Sequence, residues 1–519
     1  MIIIFNHGYS MRQLKNKLLT HETNLSEFIK FQYLNEYTMN KILLSTLALG
    51  TITTGYCATK NSKDKWQKPN IIFILTDDQR WNALGYEGNK IIQTPEMDRL
   101  ARAGAYFRNS FVTTPICAAS RASILTGLYE RTHGYTFQQG ALKVPYVKIT
   151  YPVLLKSSGY TTGFFGKLGV TIPGAEKMFD EADIYDRNDK APNRRGYYYK
   201  TIGADTVHLT RYTGYRAQEF IKTNASSDKP FCLSLSFSAP HAHDPAPEQY
   251  FWEEKSNNRY SDVIIPPPLL GEDKYFNALP KEVREGFNRL RWTWRFDTPE
   301  KYQKSVKGYF RMISEVDDEI GEIRKVLQEK GVAGNTVIIF MGDNGYFLGE
   351  RQLADKWLMY DNSLRVPMMI YDPRMNKHQD VTDMVLNIDI PKTILDLAGV
   401  KPPAEYQGNS LRCYVEGKKP KIIHKTVLFE HLWNLPQIPS SEGVRTAKWK
   451  YFRYRFIVAP EELYDLEMDP LETKNLAKEH GFRKIIEKLR KDCDAQIRKY
   501  TKAKLISDYT PPEMIDKTF

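Results

Sequence analysis

Two apolar, β-branched runs that each break off in acidic residues constrain this chain more than anything else in it. I-I-F-I-L at 71–75 leads into Thr76, Asp77, Asp78 and Gln79, and V-I-I-F-M at 337–341 leads into Gly342, Asp343, Asn344 and Gly345. Short apolar runs without polar alternation read as buried strands, which need helices to cover them. Further strands are expected at 161–165, 231–237 and 368–371. Amphipathic stretches lie between them: 95–103 opens on Pro95, which suits a first helical turn, and 299–330 stops at Gly331. This alternation predicts an α/β fold with a large sheet over residues 70–419. Near 420 the pattern changes to the strands V-L-F-E-H and W-K-Y-F-R-Y and a charged helix at 482–501, which predicts a smaller C-terminal α+β subdomain over 420–519. Residues 242–298 are rich in proline, tryptophan and charge without clear periodicity, and read as an insertion that walls the site.

The first seventy residues read differently. From Met39 to Ala58 a lysine precedes a short apolar run that ends in small residues, the layout of a secretory leader. The run is too short for a transmembrane span. Residues 1–38 are then an upstream extension and 59–69 a linker, and the expected location is periplasmic or extracellular. Lipid anchoring at Cys57 is the alternative to plain export, disfavoured by Tyr56 where a small residue is expected.

With a formal charge of +12 and 41% hydrophobic residues, the chain is an ordinary globular one with a basic surface that steers anionic partners. No zinc-finger spacing or dense Lys/Arg block accompanies the charge, so nucleic acid is not the expected partner. The five cysteines are odd in number and far apart, forming neither a disulfide framework nor a metal motif.

Both acidic clusters sit where α/β sheets bind ligands, beyond the carboxyl ends of strands. Asp77, Asp78, Asp343 and Asn344 would together make a hard, oxygen-only site suited to Ca²⁺ or Mg²⁺. Either cluster alone is equally a common turn sequence. The stronger signal is P-I-C-A-A-S-R-A-S-I-L-T-G at 115–127. Small residues place Cys117 near a helix N-terminus, where unpaired N–H groups favour an anion, and Arg121 follows one turn on.

C-A-A-S-R, followed by Thr126 and Gly127, resembles the signature of the type I sulfatases, in which the cysteine is oxidised to formylglycine by a separate maturation enzyme. The resemblance runs in order from about Pro69 to Leu476 and implies an alkaline phosphatase-like fold. It implies one Ca²⁺ on Asp77, Asp78, Asp343 and Asn344, with modified Cys117 beside it. It also implies that Lys167 and Lys356 bind sulfate and that His241 protonates the leaving oxygen. A hydrated aldehyde suits the chemistry: one hydroxyl attacks sulfur and the other later expels sulfate, where a serine ester would persist.

One position departs from the family pattern. A histidine usually follows two residues after the lysine, whereas Lys167 is followed by Leu168, Gly169 and Val170. His243, His133 or Lys167 itself is left to assist the elimination. The expected substrate is a sulfated sugar of an acidic glycan, with His431, Trp433 and His243 as substrate-side candidates. The alternatives are a phosphomonoester or phosphonate hydrolase of the same superfamily, and a glycan-binding protein without turnover.

Overall fold

The computed structural model describes residues 68–505 except 138–139, 186–197, 245 and 419–423. The expected extension, leader and most of the linker, with Cys57, lie outside the described residues. Sixteen strands are described. β1 (Asn70–Thr76), β2 (Ala105–Phe111), β3 (Thr161–Gly166), β4 (Glu181–Ile184), β7 (Phe231–Ser236), β8 (Thr336–Gly342), β11 (Met368–Tyr371) and β12 (Gln379–Leu386) form one sheet, ordered β12-β2-β11-β8-β1-β7-β3-β4. β11 runs antiparallel to both of its neighbours while the other pairs are parallel, so the sheet is mixed. β5 (Tyr199–Ile202) with β6 (Asp205–His208), and β9 (Phe347–Leu348) with β10 (Ala354–Asp355), are two small hairpins. β13 (Val427–His431), β14 (Ser441–Arg445), β15 (Trp449–Tyr454) and β16 (Glu462–Asp465) form a separate antiparallel sheet.

Every residue of β1 and β8 is buried, because helices cover both faces of the large sheet. One face carries the helix Pro299–Glu329, whose Val306, Ile313, Val316 and Ile320 pack with Ile72, Ile74 and Phe340. Thr298 caps its start by accepting from Lys301 N, and Gly331 follows its end in the left-handed conformation. The other face carries the helix Cys117–Thr126, buried at all ten positions. Its alanines and serines have too little bulk to hold the helix away from its neighbours. The helix Arg483–Lys502 lays Leu489 and Cys493 into the core shared with Val444 and Phe452, completing the expected C-terminal α+β region. The backbone of Glu430 bonds Thr113 O at 2.9 Å, and Tyr360 donates to Glu462 at 2.8 Å, so the small sheet is joined to the large one beside the site.

Two expectations need amendment. Residues 242–298 contain the helix Phe287–Arg295, whose Phe287, Leu290 and Trp294 recur at i, i+3 and i+7 but whose buried positions are polar, Asn288 and Arg295. β12, at the sheet edge, and β2 beside it are not among the expected strands, since arginine, asparagine and aspartate interrupt their apolar pattern.

Candidate active site

Parallel register carries four chain segments to one level. Thr76 pairs with Gly342, Leu75 with Ser236, and Gly166 with Ser236. The residues just beyond, Asp77, Asp343, Phe237 and Lys167, therefore leave the sheet together. Backbone bonds extend the pairing: Asp343 N to Thr76 O (2.9 Å), Lys167 N to Ser236 O (2.9 Å) and Phe237 N to Leu75 O (2.8 Å). Asp78 turns away with φ 71°, a left-handed conformation uncommon for aspartate. Its N–H donates to Asp343 Oδ1 (3.0 Å), and its carbonyl accepts from Tyr309 (2.6 Å).

Around these three buried carboxylates stand three cations. Arg121 donates to Asp343 Oδ2 (2.7 Å), Lys167 O (2.5 Å) and Ser236 Oγ (2.5 Å), and lies 3.8 Å from Asp77. Lys167 donates to Asp77. Lys356 donates to both oxygens of Asp78 (2.5 and 2.7 Å) and lies 3.2 Å from His241 Nε2. Asn344 Nδ2 reaches Asp78 Oδ1 at 2.7 Å. Burial pushes every carboxyl up, but the charges of Lys167, Arg121 and Lys356 override it at Asp77 and bring that group to about 2. At Asp343, burial and the neighbouring Asp77 prevail and raise the group to about 7. Burial likewise raises Asp78 despite Lys356. One cluster thus holds carboxylates of opposite tendency, too crowded for all to ionise freely without added positive charge.

Asp77, Asp78 and His241 place ligand atoms within 4.8 Å of one another and could hold a metal ion. Two further oxygens bear on this. Asp77 Oδ1 and Asn344 Oδ1 are buried without a hydrogen-bond partner, which is costly unless something else satisfies them. These hard oxygen donors, carboxylate and amide, fit a divalent cation of the calcium type.

Cys117 is the first residue of its helix and is buried. Burial pushes its thiol up while Lys167 and Lys356 pull it down, so those cations are its electrostatic neighbours. Next to it, Ile116 and Ala119 pack with Trp357 and Trp433. Trp357 N bonds Pro115 O at 3.0 Å, tying the Lys356 loop to the Cys117 turn.

Known proteins identify the family to which the chain belongs. The sequence model of the sulfatase family matches residues 69–400, and that of the C-terminal region of N-sulphoglucosamine sulphohydrolase matches 349–499. The chain belongs to the sulfatase family. Choline-sulfatase of Rhizobium meliloti is 30% identical over 449 residues, covering 79% of this chain and 82% of that one. N-acetylglucosamine-6-O-sulfatase of Bacteroides thetaiotaomicron is 28% identical over 499 residues, covering 83% and 86%. A solved structure of a protein with its substrate D-glucosamine-2-N,6-O-disulfate superposes with TM-score 0.70 at 25% identity, covering 84% of this chain and 98% of that one.

Within the sulfatase, Asp77, Asp78, Asp343, Asn344, Arg121, Lys167, His241 and Lys356 form one contact network. Position 169, where the family histidine is missing, faces that network. A Cβ on Gly169 would lie 2.7 Å from Arg121 Cδ, and φ there is +68°. The side chain of Arg121 thus fills the room that a residue at 169 would need. His133 is not the replacement: its nitrogens are engaged by Ser123 Oγ (3.0 Å) and Tyr135 N (3.0 Å), and burial lowers its pKa to about 3. His243 packs against the stacked rings of Tyr198 and Phe251. His431 is fully buried at the end of β13, and as folded it offers a substrate no surface. Trp433 packs beside Phe137 in the cluster next to Cys117.

Sequence reasoning missed Asp355, 3.4 Å from Lys356 Nζ, and the helix residues Asn288, Arg291 and Arg295 that reach the same loop. Asp355 stood in view beside Lys356. The spacing 288, 291, 295 puts the three polar residues on one helical face, and Phe287, Leu290 and Trp294 at the same spacing were the signal that could have found the helix.

Proposed function

We propose that this sulfatase cleaves sulfate esters on sugars of an acidic glycan, using formylglycine made from Cys117 and one Ca²⁺ held by Asp77, Asp78, Asp343 and Asn344. The observation that carries the reading is the placing of Cys117 at a helix start in the field of Lys167, Lys356, Arg121, Asp77 and Asp343, with Asp77 Oδ1 and Asn344 Oδ1 left unpaired. Calcium and the matured residue would supply a divalent charge and a hydrated-aldehyde hydroxyl at that point. Arg121 holds Asp343 and the Lys167 carbonyl in place. Lys167 and Lys356 present ammonium groups to the equatorial oxygens of the transferring sulfuryl group. His241, its Nδ1 2.5 Å from Ala242 O, turns Nε2 toward the same pocket and protonates the departing sugar oxygen. The Nδ1 proton donated to that carbonyl fixes the tautomer, so His241 must be doubly protonated to act as the acid.

The sugar reading rests on the similarity to an N-acetylglucosamine-6-O-sulfatase and to a solved structure that holds D-glucosamine-2-N,6-O-disulfate as its substrate. The basic charge of the chain accords with a polyanionic substrate. Trp433, beside Cys117, is the aromatic face we assign to the leaving-group side. The reading also entails a maturation enzyme as partner, and the leader at 39–58 entails export. Among the described residues no helix is long and apolar enough to cross a membrane.

The test uses protein produced together with a sulfatase-maturation enzyme. Peptide mass spectrometry should find residue 117 as formylglycine, and sulfate should be released from a 6-O-sulfated glucosamine. Chelation should abolish turnover, and Ca²⁺ should restore it. A free thiol at position 117 in fully active protein would overturn the mechanism. Faster cleavage of a phosphonate monoester than of any sulfate ester would overturn the substrate class.

A further inference from the structure

Lys356 sits in an unusual stretch of backbone. Arg351 (φ 54°), Gln352 (φ 53°), Asp355 (φ 77°) and Trp357 (φ 80°) all adopt left-handed conformations, though none is glycine. Such conformations persist only where the surroundings over-determine them. Here the determinant is one face of the helix Phe287–Arg295. Asn288 is buried, and its Nδ2 donates to two loop carbonyls, Ala354 O (2.7 Å) and Lys356 O (2.9 Å). Arg291 donates to Asp355 and lies 3.3 Å from Asp244. Arg295, with no exposed surface, approaches Asp355 at 3.4 Å and donates to Gln249 Oε1 at 2.7 Å. Arg289, on the helix flank, reaches Gln352 Oε1 at 2.9 Å.

The charges of Arg291 and Arg295 are thus spent on Asp244 and Asp355, within the protein, and are not free to bind a sulfated substrate. Their effect falls on Lys356, whose neighbours on either side, Asp355 and Trp357, are both gripped. The guanidinium of Arg291 also lies 4.8 Å from the Trp357 ring centroid. We propose that Asn288, with Arg291 and Arg295, forms a clamp that positions Lys356 for the reaction, which makes the proline- and tryptophan-rich insertion a working part of the site. The helix is itself anchored from the C-terminal region, since Phe287 N bonds Gln437 O at 3.0 Å. The inference rests on the proposed role of Lys356 as a sulfate-holding cation.

A double-mutant cycle tests it. Asn288→Ala should lower kcat/KM on an aryl sulfate about 10-fold, and Asn288→Asp, equal in size but without the N–H donors, should do the same. Weakened binding of inorganic sulfate, read as a smaller rise in thermal midpoint and requiring no turnover, should accompany both. Lys356→Ala should cost more, roughly 100-fold. In the Lys356→Ala background the Asn288 substitutions should cost nothing further, by either readout. Arg291→Lys, a milder change that keeps the charge, should show the same dependence on Lys356 should the Asn288 variants fail to fold. Losses at Asn288 or Arg291 that persist in full without Lys356 would overturn the clamp while leaving the proposed role of Lys356 standing. Full activity and sulfate binding in Lys356→Ala would overturn both.

Discussion

The two halves of the site are built on different principles. Asp77, Asp343 and Lys167 leave the ends of parallel strands in one run of the sheet, and the ladder that pairs Thr76 with Gly342, Leu75 with Ser236 and Gly166 with Ser236 sets their spacing. Lys356 comes from a loop in which several residues are left-handed, and side-chain bonds from a distant helix hold it. The strand-borne half is rigid because moving one residue means breaking a buried sheet. The loop-borne half is only as well placed as the side chains that grip it. The anions are therefore fixed by backbone, and the cation Lys356 by side chains.

The contrast predicts how each half fails. The largest effect belongs to Cys117, at the start of a wholly buried helix that the rigid half supports. Cys117→Ala should lower kcat by at least about 10⁴-fold with an unchanged thermal midpoint, since only the reactive group at position 117 is lost and no bond of the framework. Unfolding by that change would mean that the helix start is held less firmly than its burial implies.

A smaller effect is expected where the rigid half has no spare room. Gly169→His, which places the usual family residue at its position, should reduce kcat/KM rather than raise it, by roughly 10- to 100-fold. The side chain would have to enter from a left-handed backbone and displace Arg121, whose Cδ lies 2.7 Å from the ideal Cβ. Kinetics on an aryl sulfate decide this. A gain in activity would show that Arg121 yields easily and that the strand-borne half is not rigid.

The smallest effect concerns the join between the small sheet and the large one. Burial first, then the charge of Arg455, lowers the pKa of His431 to about 3, below an unfolded value near 6.5. Above pH 6.5 its contribution to stability is complete; as pH falls from there toward 3, the unfolded state takes up a proton that the folded state refuses, and stability is lost. Between pH 6.5 and 5.5 this amounts to about 1 kcal/mol. His431→Gln should remove that part of the acid dependence in denaturant titrations, leaving the remainder from His133 and other buried groups. An unaltered pH slope would show that His431 is protonated in the folded protein.

How much of this was legible in the residues follows from the range of the interactions involved. Strands such as 71–75 and 337–341, the helix at 95–103 and the acidic strand ends could be read directly. Their signals are local runs, and the parallel α/β arrangement makes strand ends converge wherever they fall in the chain. The Cys117–Arg121 spacing was legible for the same reason, since one helical turn joins them. Tertiary structure alone decided the rest. It filled the space at Gly169 with Arg121, enclosed His431, turned both nitrogens of His133 to structural use, and brought Asn288, from a distant helix, against the carbonyls of Ala354 and Lys356. Each of these is a contact between residues distant in sequence, made by polar groups that form no repeating pattern. What selects them is the free-energy cost of leaving a buried donor, acceptor or charge unpaired, and that cost is set only once the chain has folded.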